Sequence, residues 1–123
     1  MNSRSALGRL GERLAAGHLR REGFAIVATN VAVRPWGEID IIAEKDGVRA
    51  LVEVRTRRGE RFGGAGESLS PTKRRRMINA AQAYLATLGD DPPPCRIDAI
   101  TVHFDGVGRL LAITHFENAL ESD

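Results

Sequence analysis

The chain has 123 residues, 42% hydrophobic and 28% charged, which suits one folded domain spanning 1–123 and excludes an intrinsically disordered chain. No apolar run approaches the roughly 20 residues of a membrane-spanning helix and no apolar signal core follows the first residues, so no membrane partner and a cytoplasmic location are expected. A single cysteine, Cys95, excludes an internal disulfide and a thiolate metal site, and the net charge of +2 is informative only through its distribution.

Residues 5–22 are predicted to form a helix. Leu7, Leu10 and Leu14, with Ala15 and Ala16, recur at helical spacing, Arg9, Arg13 and Arg20 fall opposite them, and Gly23 follows as a terminator. Residues 24–29 are apolar and β-branched, a strand, and 30–37, with Pro35 and Gly37, read as a turn or an edge. Residues 38–44 and 49–57 form two strands around Lys45-Asp46-Gly47, because Asp-Gly between alternating apolar runs is the strongest short-range hairpin signal. Residues 58–70, with Gly59, Gly63, Gly64 and Gly66, read as a loop. Ser70 and Pro71 suit the N-cap and first position of a second helix, which runs to about Leu88 with Met77, Ile78, Ala81, Tyr84, Leu85 and Leu88 on its core side. After a stiff connection over 89–94, residues 96–104 and 109–116 close the domain as two strands. The order α-β-β-β-α-β-β predicts an α/β fold: a mixed β-sheet of about five strands flanked by helices.

The first hairpin has chemical content. If Asp46-Gly47 is a two-residue turn, Lys45 pairs with Val48, and the register carries Asp40 opposite Glu53 and Glu38 opposite Arg55. Alternation puts these four on one face and Ile39, Ile41, Val52 and Val54 on the other, a core face. Directly opposed carboxylates repel. A divalent cation reverses that argument, because hard ions such as Mg2+ take carboxylate oxygens while keeping several waters, and such an ion can activate water and stabilise charge on a phosphate under attack. The competing reading is two solvent-exposed acids, and a loop one residue longer would break the pairing. Glu12, beside the apolar stripe of the first helix and away from its arginines, either reaches the same site or caps the edge of the core.

Residues 55–76 carry eight cations (Arg55, Arg57, Arg58, Arg61, Lys73, Arg74, Arg75 and Arg76) and two acids, Glu60 and Glu67, an excess of six that leaves the rest of the chain at −4. This concentration suits phosphate, or it is a solvated charged face. Cations are unfavourable at a helix N-terminus, yet 73–76 occupy one; a bound phosphate would satisfy both helix and cations. Lys73 shares a helix face with Met77, Ala80 and Tyr84, so its stem can lie on the core while its ammonium reaches toward the sheet. Asp98, on the side of Ile100 and Val102, reads as a buried, paired structural acid. His18, His103 and His115 are scattered without ligand spacing and read as structural. Trp36 and Phe62 either stack on bases or pack locally.

The run Gly37-Glu38-Ile39-Asp40-Ile41-Ile42-Ala43, followed by Leu51-Val52-Glu53-Val54-Arg55-Thr56-Arg57, resembles the YraN-like family of predicted bacterial endonucleases. That family is similar to archaeal Holliday junction resolvases within the restriction-endonuclease-like PD-(D/E)xK superfamily. The resemblance extends to Gly8-x-x-Gly11-Glu12, Gly23-Phe24, Asn30, Phe62-Gly63, Lys73, Arg96-Ile97-Asp98 and Asn118-Ala119, nearly the whole chain. It implies a restriction-endonuclease-like fold and a metal-dependent endonuclease hydrolysing DNA phosphodiester bonds, with branched DNA as a candidate substrate and a homodimer as a candidate assembly. Asp40 and Glu53 would hold Mg2+ or Mn2+, with Glu12 completing the site. Arg55 stands where the superfamily places its catalytic lysine. Arginine does not serve as a base, although it can hold the scissile phosphate or stabilise developing charge. Either Lys73 supplies the amine, or activated water needs no side-chain base, or turnover has been lost. Arg57, Arg58, Arg61, Arg74, Arg75 and Arg76, together with Lys73, are expected to hold the DNA backbone. Two other readings stand: a non-catalytic nucleic-acid-binding module, which predicts salt-dependent binding without cleavage, and an adaptor, for which Arg74, Arg75 and Arg76 would be dispensable.

Overall fold

The computed structural model describes residues 6–59 and 70–120. Helix α1 spans Ala6–Arg21 and buries Gly11, Ala15, Ala16 and Leu19. Its end is set by chemistry. Gly23 takes a positive φ of 98°, and Phe24 N–H donates back to Leu19 O at 3.0 Å. This closure is the one glycine favours after a helix, and it delivers Phe24 into the core beside Leu19.

Strands β1 (Ala25–Ala32), β2 (Glu38–Lys45) and β3 (Val48–Arg58) form an antiparallel meander. Asp46 and Gly47 both have positive φ, 54° and 77°, the mirror-image turn that matches strand twist. Lys45 therefore pairs with Val48, and the predicted register holds over five pairs, to Ile41 with Val52. Strand β1 is longer than expected. Asn30, read as the start of a turn, stays in the strand with φ at 51°, and the chain turns only after Ala32. There Trp36 N–H donates to Val33 O at 2.7 Å and Val33 N–H to Gly37 O at 2.8 Å.

Helix α2 spans Pro71–Ala86 with Ser70 as its N-cap, Ser70 Oγ accepting from Lys73 N–H at 3.1 Å. It ends two residues before the expected Leu88. Met77, Ala80, Ala81 and Tyr84 are buried, as the helical spacing requires, but Ile78 is 41% exposed and does not belong to the core side.

Helix α2 is the crossover to β4 (Cys95–Phe104), which runs parallel to β3; β5 (Leu110–Phe116) returns antiparallel. The result is a mixed five-stranded sheet in the order β1-β2-β3-β4-β5. Two cores flank it. Ile41, Val52, Ile100, Val102 and Phe104 pack with α1, and Val33, Ile39, Ile42 and Leu51 pack with α2. Adjacent residues such as Leu51 and Val52 thus serve opposite layers, as pleating demands. At the start of β4, Cys95 pairs with Arg49, and burial pushes its thiol pKa up. No helix among the described residues is long and apolar enough to cross a membrane.

Candidate functional site

The β2–β3 ladder stops one step short of Asp40 and Glu53. Asp40 Oδ2 instead accepts the Val54 main-chain N–H at 2.8 Å, a side chain standing in for the carbonyl that a continued ladder would supply. On the other side of β2, the pairs Thr29 with Ile41 and Val31 with Ile39 bracket Asn30 and Asp40. Alternation breaks here. Ile41, Val52 and Val54 face α1 together, as expected, but Ile39 has turned to the α2 core. The expectation of one shared face for Glu38, Asp40, Glu53 and Arg55 is corrected accordingly. Asp40 borders a groove on the α1 side, whereas Glu53 borders a cavity on the α2 side. The two acids lie on adjacent strands at a split in the sheet rather than as a cross-strand pair.

Glu53 meets cations. Lys73 Nζ lies 3.4 Å from its Oε2, and Arg76 Nη2 lies 3.3 Å from its Oε1. Lys73 thus reaches the sheet as its helix face predicted. Arg76 also donates from Nη1 to Trp36 O at 3.0 Å, so one guanidinium joins the β1–β2 turn to Glu53. Gly37 lies beside this guanidinium, where a Cβ would make ordinary contact with Arg76 Nη1 at 3.4 Å, but its φ of 94° disfavours any side chain. Arg55 and Arg57 follow Glu53 at two-residue spacing on β3, both half-buried. Alternation directs them to the same side, since Thr56 between them meets α1. The remaining cations are dispersed. Arg58 donates to Gly106 O at 3.1 Å and Arg74 to Leu120 O at 2.7 Å, while Arg75 is exposed. Arg61 and Phe62 lie outside the described residues.

Glu12 accepts a hydrogen bond from Asn30 Nδ2 at 3.1 Å. With Asp40, these residues line a groove of about 420 Å3 that Arg9 and Arg13 also border. The arginine face of α1 is therefore part of the same groove as Glu12, contrary to the separation read from the helical wheel. Among the described residues, no three His, Cys, Asp or Glu side chains gather closely enough to hold a metal ion by themselves. Glu12, Asp40 and Glu53 do not form a ready-made cage.

Gly11 governs how closely α1 approaches β3. A Cβ on Gly11 would stand 2.6 Å from Thr56 Oγ1, so α1 lies on β3 at a distance only glycine permits. Alanine is normally favoured over glycine in a helix by about 1 kcal/mol, but overpacking costs about 1–3 kcal/mol. Gly11→Ala is expected to lower stability by up to about 2 kcal/mol, and the same change in a Thr56→Ala background to be neutral or stabilising. Urea denaturation of the four proteins tests this; equal losses in both backgrounds would refute the contact.

A second cluster was invisible to spacing arguments. Asp98 is fully buried and receives hydrogen bonds from Arg96 Nε at 3.0 Å and from Asn118 N–H at 3.0 Å, while His115 Nε2 lies 2.8 Å away. The other ring nitrogen of His115 lies 2.8 Å from Glu22 Oε1, and His18 lies 3.0 Å from Glu22 Oε2. Burial pushes the Asp98 carboxyl up, but its hydrogen bonds from His115, Arg96 and Asn118 outweigh that and hold it below the ordinary value. The bond to Asp98 raises the pKa of His115 against the effect of burial, and Glu22 adds to the rise. Asp98 is the paired structural acid its position suggested. His115 and His18 belong to its network rather than standing alone.

A mixed five-stranded sheet with one helix on each face, opened beside two acids and approached by cations from the crossover helix, defines the class: a three-layer α/β protein with a polar site at a split hairpin. Residues 11–102 match Uncharacterised protein family UPF0102, and the chain belongs to that family. It is 48% identical over 104 residues to a UPF0102 protein of Symbiobacterium thermophilum, covering 85% of this chain and 87% of that one. A UPF0102 protein of Pelotomaculum thermopropionicum is 41% identical over 118 residues, covering 96% and 98%. One from Cupriavidus taiwanensis is 45% identical over 104 residues, covering 84% and 78%. The family match takes in Glu12, Asp40, Glu53, Arg55, Lys73 and Asp98, but not His115.

Proposed function

We propose that the chain is a Mg2+- or Mn2+-dependent endonuclease of the restriction-endonuclease-like PD-(D/E)xK kind, acting on DNA phosphodiester bonds, with branched DNA among its candidate substrates. The observation that carries this reading is the split at the end of the β2–β3 hairpin, where Asp40 and Glu53 flank the opening and Lys73 and Arg76 meet Glu53. The donor chemistry fits a hard cation. Mg2+ is commonly held by one or two carboxylates, with waters and phosphate oxygens completing its shell, so a three-acid cage is not required. When bound, the ion would lower the pKa of a water and offset charge on the phosphate.

The chain's own residues supply the rest. A phosphate entering between Lys73 and Arg76 would take charge-assisted hydrogen bonds from both and release Glu53 from part of its pairing. A guanidinium does not serve as a base, and the place of Arg55 two residues after Glu53 suits charge stabilisation rather than proton removal. Hydrolysis joins a water oxygen to phosphorus and breaks the bond to the leaving oxygen, which takes up a proton.

The binding-module reading is favoured by one observation: Glu53 is already neutralised by two cations. Incubation of branched and linear DNA with Mg2+ or Mn2+, against chelated controls, separates the two. Metal-dependent cleavage supports the nuclease. Salt-dependent binding with no cleavage in either metal replaces it with the binding module. Absence of DNA binding removes both.

A further inference from the structure

We infer that the β1–β2 turn is a base-stacking subsite: Trp36 stacks on an unpaired nucleobase next to the phosphate held by Lys73 and Arg76, so the preferred substrate carries unpaired nucleotides at the site. This inference rests on the reading above. Its basis is the double use of Arg76. That guanidinium bonds Trp36 O through Nη1 and Glu53 Oε1 through Nη2, so the turn and the acid are held one side chain apart. Trp36 is the only tryptophan in the chain, and it is 37% exposed. The turn beneath it is closed by two main-chain hydrogen bonds, Trp36 N–H to Val33 O and Val33 N–H to Gly37 O, so the indole is carried on a defined support.

Arg76 touches both the main-chain oxygen of Trp36 and the carboxylate of Glu53. A phosphate at Lys73 and Arg76 therefore brings its neighbouring nucleotide to the turn. An aromatic face offers sequence-tolerant stacking to any base. Bases inside a duplex have both faces covered and must first leave the stack. The combination of a cation pair and an adjacent indole thus selects unpaired nucleotides over blunt duplex, where cations alone would not discriminate.

The test uses the lone tryptophan as its own reporter. The full chain is titrated in chelator with a short oligothymidylate, with an abasic strand of equal length and with blunt duplex, reading tryptophan fluorescence and the anisotropy of a labelled strand together. The oligothymidylate should quench the indole and the abasic strand should bind without quenching. Trp36→Ala should weaken oligothymidylate binding about tenfold, the scale of one lost base stack, and weaken duplex binding less. Trp36→Phe should recover most of the affinity. Binding without quenching, or equal losses in Trp36→Ala and Trp36→Phe, overturns the subsite while leaving the nuclease reading in place. No binding of any of the three probes overturns both.

Discussion

Replacing Asp40 with asparagine is expected to lower metal-dependent cleavage about a thousandfold, from loss of several kcal/mol of charge stabilisation at the phosphate, with little change in thermal stability. The two halves of this expectation come from the two roles of one carboxylate. Oδ2 accepts the Val54 N–H at 2.8 Å and keeps the split strands in register. An asparagine carbonyl can accept the same hydrogen bond. Its amide nitrogen, however, replaces the second oxygen and cannot ligate a cation. Asp40→Ala removes both functions and leaves the Val54 N–H unpaired at a half-buried position, adding a stability loss of about 1 kcal/mol or more. Cleavage rates and melting curves of the two variants form the measurement. Wild-type rates in Asp40→Asn would eliminate the proposed site, and an unfolded Asp40→Asn would eliminate the account of its fold role.

Replacing Asp98 with alanine is expected to cost about 3–5 kcal/mol, the range for breaking a buried ion pair by removing one partner. Asp98 is fully buried, and its loss takes one partner from Arg96, which keeps Glu117, and one from a His115 side chain that is only 5% exposed and keeps Glu22. The cost should depend on pH with a definite sign. His115 has a folded pKa raised above its ordinary 6.5, so its contribution is complete below that value and fades as pH rises through the folded pKa. Asp98 is lowered from 3.8 and Glu22 from 4.5, with burial opposing and the histidine contacts prevailing, so their contributions are complete above those values and fade in acid. The network is thus fully formed between pH 4.5 and 6.5. Urea denaturation of wild type and Asp98→Ala should show the largest difference inside that window and a smaller one in alkali. A difference below about 1 kcal/mol, or one that does not vary with pH, would remove the ionic account.

The parts of the fold legible in the sequence were those written in local chemistry. Asp46-Gly47 dictated the hairpin turn and hence the register, and Ser70-Pro71 marked the start of α2. What escaped was non-local. Period-two alternation cannot reveal that Asp40 replaces a backbone acceptor, so it places Ile39 on the face opposite the one it occupies. Asn30 has a turn-like composition, yet strand pairing on both sides of it keeps it within β1. His115 meets Asp98 and Glu22 only after the chain has crossed the sheet, and no spacing rule links those three positions. For the candidate site, the resemblance supplies Glu12, Asp40 and Glu53 as expectations, and the approach of Lys73 to the sheet is legible from its helix face. The sharing of Arg76 between Glu53 and Trp36 required coordinates, because a run of three arginines gives no sign of which one turns inward.

Cys95 opens β4 opposite Arg49, four residues along β3 from Glu53, a separation of about 13 Å at the usual strand rise. Trp36 is held at the Glu53 end by Arg76. Through Arg49, which pairs with both Glu44 and Cys95, the lone thiol stands near the far end of β2, while the lone indole stands just before its start, well within resonance energy-transfer range of a small dye. Wild-type protein can be labelled at one thiol without removing any other, although the raised thiol pKa makes alkylation slow at neutral pH. The molecule comes equipped with an optical ruler whose donor stands where a nucleic acid is proposed to arrive and whose acceptor position is remote from it.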